Sequence, residues 1–60
     1  MDSTFEIFTV LNEDTHRSYT ATALRGTSLE TVWASQKSWF SDGAEVTIRG
    51  EDGRTQTFVK

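Results

Sequence analysis

The sequence predicts one α+β domain in which two β-hairpins flank a single helix, in the order ββαββ, with the helix packed on one face of a four-stranded sheet. Two observations predict this class. Hydrophobicity alternates with a period of two near both ends of the chain, and it changes to a helical period between residues 27 and 40. Sixty residues without a linker-like run make a single domain, 1–60.

The first hairpin is predicted from two strands and a polar turn. Residues 4–12 are rich in Phe, Ile, Val and Thr, which favour strands, and residues 16–24 alternate in the same way. Between them NEDT, residues 12–15, is a polar turn that suits a loop of about three to five residues. In the second strand Tyr19, Ala21 and Ala23 share one face, and the other face carries hydroxyl residues: Ser18, Thr20 and Thr22.

The first strand is apolar on both faces. Alternation in FEIFTVL places Phe5, Ile7 and Leu11 on one face. Phe8 and Val10 fall on the other face. We expect the first set to pack against the helix as core, and we expect Phe8 and Val10 to lie on the helix-free face among the threonines of the other strands.

The helix is predicted from one apolar stripe. Thr27 is a good N-cap, and Glu30 follows three residues later, which matches a capping box. Gly43 is a suitable stop, so the helix should be about 12 to 14 residues long. The stripe has the spacing i, i+3, i+4, i+7 and i+11: Leu29, Val32, Trp33, Gln36 and Phe40.

The second hairpin has the clearest turn in the chain. A three-residue loop at 51–53, with Gly53 in the left-handed conformation, separates polar from apolar faces better than a two-residue loop does. The resulting register pairs inward residues with each other: Val46 with Phe58 and Ile48 with Gln56.

Strand directions leave two sheet orders open. If a right-handed crossover joins parallel second and third strands, the order is 2-1-4-3 or 1-2-3-4. The most apolar strand suits a central position, so we favour 2-1-4-3. This layout resembles the β-grasp architecture, especially the immunoglobulin-binding domains of protein G, in element order and length. The strand at 44–50 is then an exposed edge open to strand addition, which Glu45 and Arg49 partly discourage.

Composition argues against several classes of function. The chain has no cysteine and one histidine, His16, so we expect no metal site, no cofactor, no catalytic residues and no enzymatic activity. A net charge of −3 is unfavourable for a partner bound through phosphates. The start of the chain, MDSTFEIFTVLNED, lacks the features of a targeting signal, and we expect a cytoplasmic protein that does not bind membranes.

We therefore expect a small non-enzymatic protein-interaction module, an inhibitor, adaptor or accessory protein. It would act through the helix-free sheet face, a sheet edge or self-association as a homodimer, and its partner would be another protein or a second copy. The residues predicted to bind the partner are Phe8, Val10, Trp39 and Arg49. The alternative is a small nucleic-acid-binding protein that uses exposed aromatic and arginine side chains: Phe8, Arg17, Arg49 and Arg54.

Overall fold

The computed structural model describes residues 4–60 and confirms the order ββαββ. Its elements are β1 (Phe5–Asn12), β2 (Arg17–Leu24), α1 (Leu29–Gln36), a 3₁₀ turn (Lys37–Trp39), β3 (Glu45–Arg49) and β4 (Thr55–Val59). Residues 1–3, which belong to the stretch examined for a targeting signal, lie outside the described residues. Within the described part of the chain, no helix is long and apolar enough to cross a membrane.

The sheet order is β2-β1-β3-β4, and every pair of neighbouring strands is antiparallel. The predicted order 2-1-4-3 is wrong, and with it the likeness to the β-grasp architecture, which needs β1 beside β4. Burial gives the physical reason. Val46 and Ile48 of β3 are fully buried, whereas the inward positions of β4 are exposed Gln56 and half-buried Phe58. The more apolar strand therefore lies beside β1, and the 44–50 segment is not an edge.

The core face of β1 is also the opposite of the predicted one. Phe8 and Val10 are 0% exposed, whereas Phe5 and Ile7 are 55% and 53% exposed, and Leu11 is half-buried. The cross-strand neighbours explain the difference, because a strand's register fixes which side chains share each face. The face of Phe8 and Val10 gains apolar neighbours from the other strands: Ala21, Ala23, Val46, Ile48 and Phe58.

The predicted helical stripe is confirmed, but the helix is shorter and starts differently. Leu29 and Val32 are buried, and Trp33 packs against the core with its ring centre 5.3 Å from that of Phe58. The N-cap is Ser28, whose Oγ accepts a hydrogen bond from the Thr31 amide at 3.2 Å. The predicted capping box is therefore wrong.

The predicted N-cap residue has another role. The Thr27 amide and hydroxyl both donate to the Leu24 carbonyl and close the turn that follows β2. The backbone tightens into the 3₁₀ turn after Gln36 and becomes extended at Phe40, so the helical segment ends before Gly43.

Loss of the observed N-cap should weaken the fold measurably. Ser28→Ala removes the acceptor for the Thr31 amide, and we expect the free energy of unfolding to fall by about 1 kcal/mol. Urea unfolding at equilibrium measures this difference. Ser28→Asp keeps a good N-cap and should retain wild-type stability. An unchanged unfolding midpoint in Ser28→Ala would contradict this assignment of the helix start.

The first hairpin loop has the predicted length but lies one residue later than the predicted turn at 12–15, and the second hairpin turn agrees with the prediction. Four residues, 13–16, connect β1 to β2, since Asn12 pairs with Arg17. In the second hairpin Gly53 has φ +92°, and Val46 and Ile48 pair with the predicted residues, Phe58 and Gln56. A left-handed residue at this position requires glycine or a strained alternative.

Candidate functional site

An exposed apolar cluster lies at one end of the helix-free sheet face. Phe5 and Leu24 are paired across β1 and β2, and Ile7 lies diagonally from Leu24 on the same face. The three side chains are 55%, 60% and 53% exposed in the order Phe5, Leu24 and Ile7. We refer to Phe5, Ile7 and Leu24 as the apolar cluster. Neighbouring side chains at these positions form one continuous surface.

The rest of this face is rich in threonine. A shallow groove of about 200 Å³ runs next to the cluster, with Leu11 and Arg49 among its walls. The Thr47 hydroxyl bonds to Glu13 at 2.7 Å and to the Thr57 hydroxyl at 2.8 Å, so this part of the surface is held by side-chain hydrogen bonds. The other residues that line the groove are Thr9, Ser18 and Thr47.

Charged side chains satisfy the backbone beside the apolar cluster. β3 pairs only with the second half of β1, Thr9–Asn12, so no strand among the described residues pairs with the first half on that side. The Ile7 amide instead donates to a Glu51 carboxylate oxygen, and the Phe5 carbonyl accepts from Arg25 at 3.1 Å. Arg25 and Glu51 approach each other to 3.9 Å. The edge of β1 is thus closed by an ion pair that borders the cluster.

A buried carboxylate fixes the backbone beneath the apolar cluster. Glu6 lies between Phe5 and Ile7 in sequence, points to the core side and is 2% exposed. It accepts hydrogen bonds from the Gly26 amide at 3.0 Å, the Glu51 amide at 2.9 Å and the Arg54 guanidinium at 3.0 Å. The Gly26 amide is the largest cause that lowers the pKa of Glu6, with the Glu51 amide and Arg54 adding to it against the effect of burial.

Half-buried Arg54 completes the network around the buried Glu6 carboxylate. Its guanidinium donates to the Thr27 carbonyl at 3.0 Å and to Asp52 at 2.9 Å, and it lies 5.9 Å from the centre of the Phe8 ring. The hydrogen bond from Arg54 is the main cause that lowers the pKa of Asp52. Through Glu6 and Arg54, β1, the turn after β2 and the second hairpin are joined into one rigid end of the sheet.

The predicted binding residues fall in three different places. Phe8 and Val10 are in the core, so the prediction that they lie on the helix-free face is wrong. Arg49 is exposed on that face, where it pairs with Thr9. Trp39 is 78% exposed but lies in the 3₁₀ turn, outside the sheet. Trp39 therefore shares no sheet surface with Phe8, Val10 or Arg49.

Sequence reasoning missed the apolar cluster and Glu6. The position of Tyr19, Ala21 and Ala23 on one face of β2 could have identified the core side of the sheet. The other face of that strand carries only Ser and Thr before Leu24. The signal for Glu6 is a single acid between apolar residues in a central strand, since a buried charge requires a partner.

A second open groove of about 440 Å³ lies beside the start of α1. Arg54 forms part of its wall but is already bound to Glu6 and Asp52. No group of three or more potential metal ligands occurs among residues 4–60.

No family model matches the chain, and searches of curated proteins and of solved structures give no match. Function is therefore inferred from the geometry of the chain itself.

Proposed function

We propose that this protein is a small protein-interaction module whose helix-free sheet face contacts a partner protein, with the apolar cluster at the centre of the contact. The observation that carries the proposal is the exposure of three large apolar side chains on two adjacent strands. Single exposed apolar residues are common on monomeric proteins, whereas contiguous apolar patches with a polar rim are typical of interaction sites.

The surroundings of the apolar cluster suit such a contact. Arg25 and Glu51 border it on one side, and Thr20 and Thr22 of β2 lie along the same face. In many protein interfaces a central apolar group supplies most of the binding free energy, and a polar rim around it excludes water from the centre. The buried bonds of Glu6 hold the underlying backbone, so little ordering cost is expected when a partner binds.

The alternative of nucleic-acid binding has weaker support. Of the residues considered for it, Phe8 is fully buried and Arg54 is paired with Glu6 and Asp52. Arg17 and Arg49 are exposed. Arg17 and Arg49, on a chain of net charge −3, do not form the basic surface that phosphate recognition uses.

Substitution of the apolar cluster tests the proposal. We expect Ile7→Ser with Leu24→Ser to weaken partner capture about 100-fold, because two buried aliphatic contacts are lost from the interface. Affinity purification from cells, followed by titration of the recovered partner, measures the change. Trp39→Ser removes an exposed apolar side chain outside this face and should leave capture unchanged.

Two results would contradict the proposed surface. Equal capture by the double variant and the wild type would show that the apolar cluster is not the contact. Binding to generic DNA or RNA that falls steeply with salt concentration would instead support the nucleic-acid alternative. Circular dichroism of each variant separates a loss of binding from a loss of folding.

A further inference from the structure

The outer edge of β2 has backbone groups available for a further strand. The Arg25 amide bonds to the Thr4 carbonyl, which sets the alternation of hydrogen bonds between β1 and β2. The residues of β2 that turn their amide and carbonyl groups outward are consequently Ser18, Thr20, Thr22 and Leu24. The Leu24 carbonyl accepts from Thr27, which leaves the groups of Ser18, Thr20 and Thr22 open. Within residues 4–60, no hydrogen bond occupies these outward groups.

This edge lacks the usual features that prevent strand addition. Natural edge strands are commonly short, charged, interrupted by proline or distorted by a bulge. β2 instead pairs with β1 through eight consecutive residue pairs without a bulge, and residues 18–24 contain no charge, proline or glycine. The opposite edge, β4, has only five residues, Thr55–Val59, whereas β2 has eight, Arg17–Leu24. β2 is therefore the more open edge.

We infer that two copies of this chain associate through antiparallel pairing of their β2 strands, with the two-fold axis at Thr20. In this register Thr20 faces Thr20 of the second copy, and Ser18 faces Thr22. Ser18, Thr20 and Thr22 of each copy then all form backbone hydrogen bonds. Pairs of Ser and Thr across antiparallel strands are favourable.

Symmetry and charge favour a second copy as the occupant. The same register places Arg25 of each copy beside the 13–16 loop of the other, which carries Glu13 and Asp14. It also places Arg17 opposite Ala23, and residues 18–22, which pair across the axis, carry no charge. Residues 18–24 of this edge carry no charge that would select a different partner strand. This inference is independent of the proposed partner surface, because it rests on edge backbone groups and not on the apolar cluster.

Single cysteines test the register, because the natural chain has none. We expect Thr20→Cys to form a disulfide-linked dimer under mild oxidation, since directly paired Cα atoms lie about 5.5 Å apart. Ser18→Cys alone should stay monomeric on a reducing-agent-free gel, because its symmetry copy lies about 13 Å away. An equimolar mixture of Ser18→Cys and Thr22→Cys chains should cross-link to each other.

Sedimentation of chains without cysteine gives the independent readout. Thr20→Lys places two like charges on the axis and should raise the dimer dissociation constant about tenfold or more. Thr57→Lys, on the same face but at the other edge, should leave it unchanged. A wild-type chain that is monomeric up to about 1 mM, or equal cross-linking from positions 18 and 20, would overturn the inference. Loss of the dimer in Ile7→Ser with Leu24→Ser, but not in Thr20→Lys, would overturn it as well.

Discussion

Phe8→Ala is expected to unfold most of the protein at 25 °C. Phe8 is fully buried, one of seven buried apolar side chains in the core formed by residues 4–60, and its ring also lies under the Arg54 guanidinium. Truncation of a buried phenylalanine costs about 3–5 kcal/mol. A domain of this size is rarely more stable than about 3–5 kcal/mol, so little folded protein should be left. Far-ultraviolet circular dichroism and urea unfolding measure the loss.

Phe5→Ala is the matched control on the same strand. Phe5 is 55% exposed and points to the opposite face, so we expect its truncation to change the free energy of unfolding by about 0.5 kcal/mol or less. A larger loss in Phe5→Ala than in Phe8→Ala would show that the core face had been assigned to the wrong side of β1.

Glu6→Gln is expected to lower the melting temperature by about 10 °C or more. The amide cannot reproduce a carboxylate that accepts from Gly26, Glu51 and Arg54, and it leaves the Arg54 charge without its buried partner. Glu30→Gln changes an exposed acid in the first turn of α1 and should shift the melting temperature much less. Equal shifts in the two variants would contradict a structural role for the buried network.

The same network gives stability a defined dependence on pH. Because the pKa of Glu6 in the folded protein lies below its usual value of 4.5, its ionised form stabilises the fold above that pH. This contribution is lost as the pH falls below about 4.5 and through the folded pKa, and the lowered pKa of Asp52 acts in the same direction. Stability measured from pH 7 to pH 3 should fall less steeply in Glu6→Gln than in the wild type.

Local patterns predicted the elements of this fold better than their arrangement. The apolar stripe Leu29, Val32 and Trp33 and the left-handed Gly53 depend on residues close in sequence, and both are confirmed. Phe40 packs against the core from beyond the end of the helix. Which strand of the second hairpin lies beside β1 depends on which of the two, β3 or β4, is the more buried. Val46 and Ile48 make β3 more apolar than β4, and β3 lies beside β1. The apolar content of β1 alone does not reveal this difference between β3 and β4.

The candidate site was mislocated for a related reason. Because β1 is apolar on both sides, its own alternation cannot decide which side is core. The small apolar residues Ala21 and Ala23 on β2 decide it, because they leave room for Phe8 under the helix. The helix-free face stays the proposed contact surface, but its apolar residues are Phe5, Ile7 and Leu24.

Site-specific photo-crosslinking tests the central claim most directly. A photo-reactive amino acid at position 7 lies within the apolar cluster, whereas the same group at position 39 replaces an exposed side chain outside the sheet. In cells that express the protein, we predict that position 7 gives a discrete adduct with a different protein and that position 39 gives none. An adduct from position 39 without one from position 7 would contradict the assignment of the helix-free face as the contact surface.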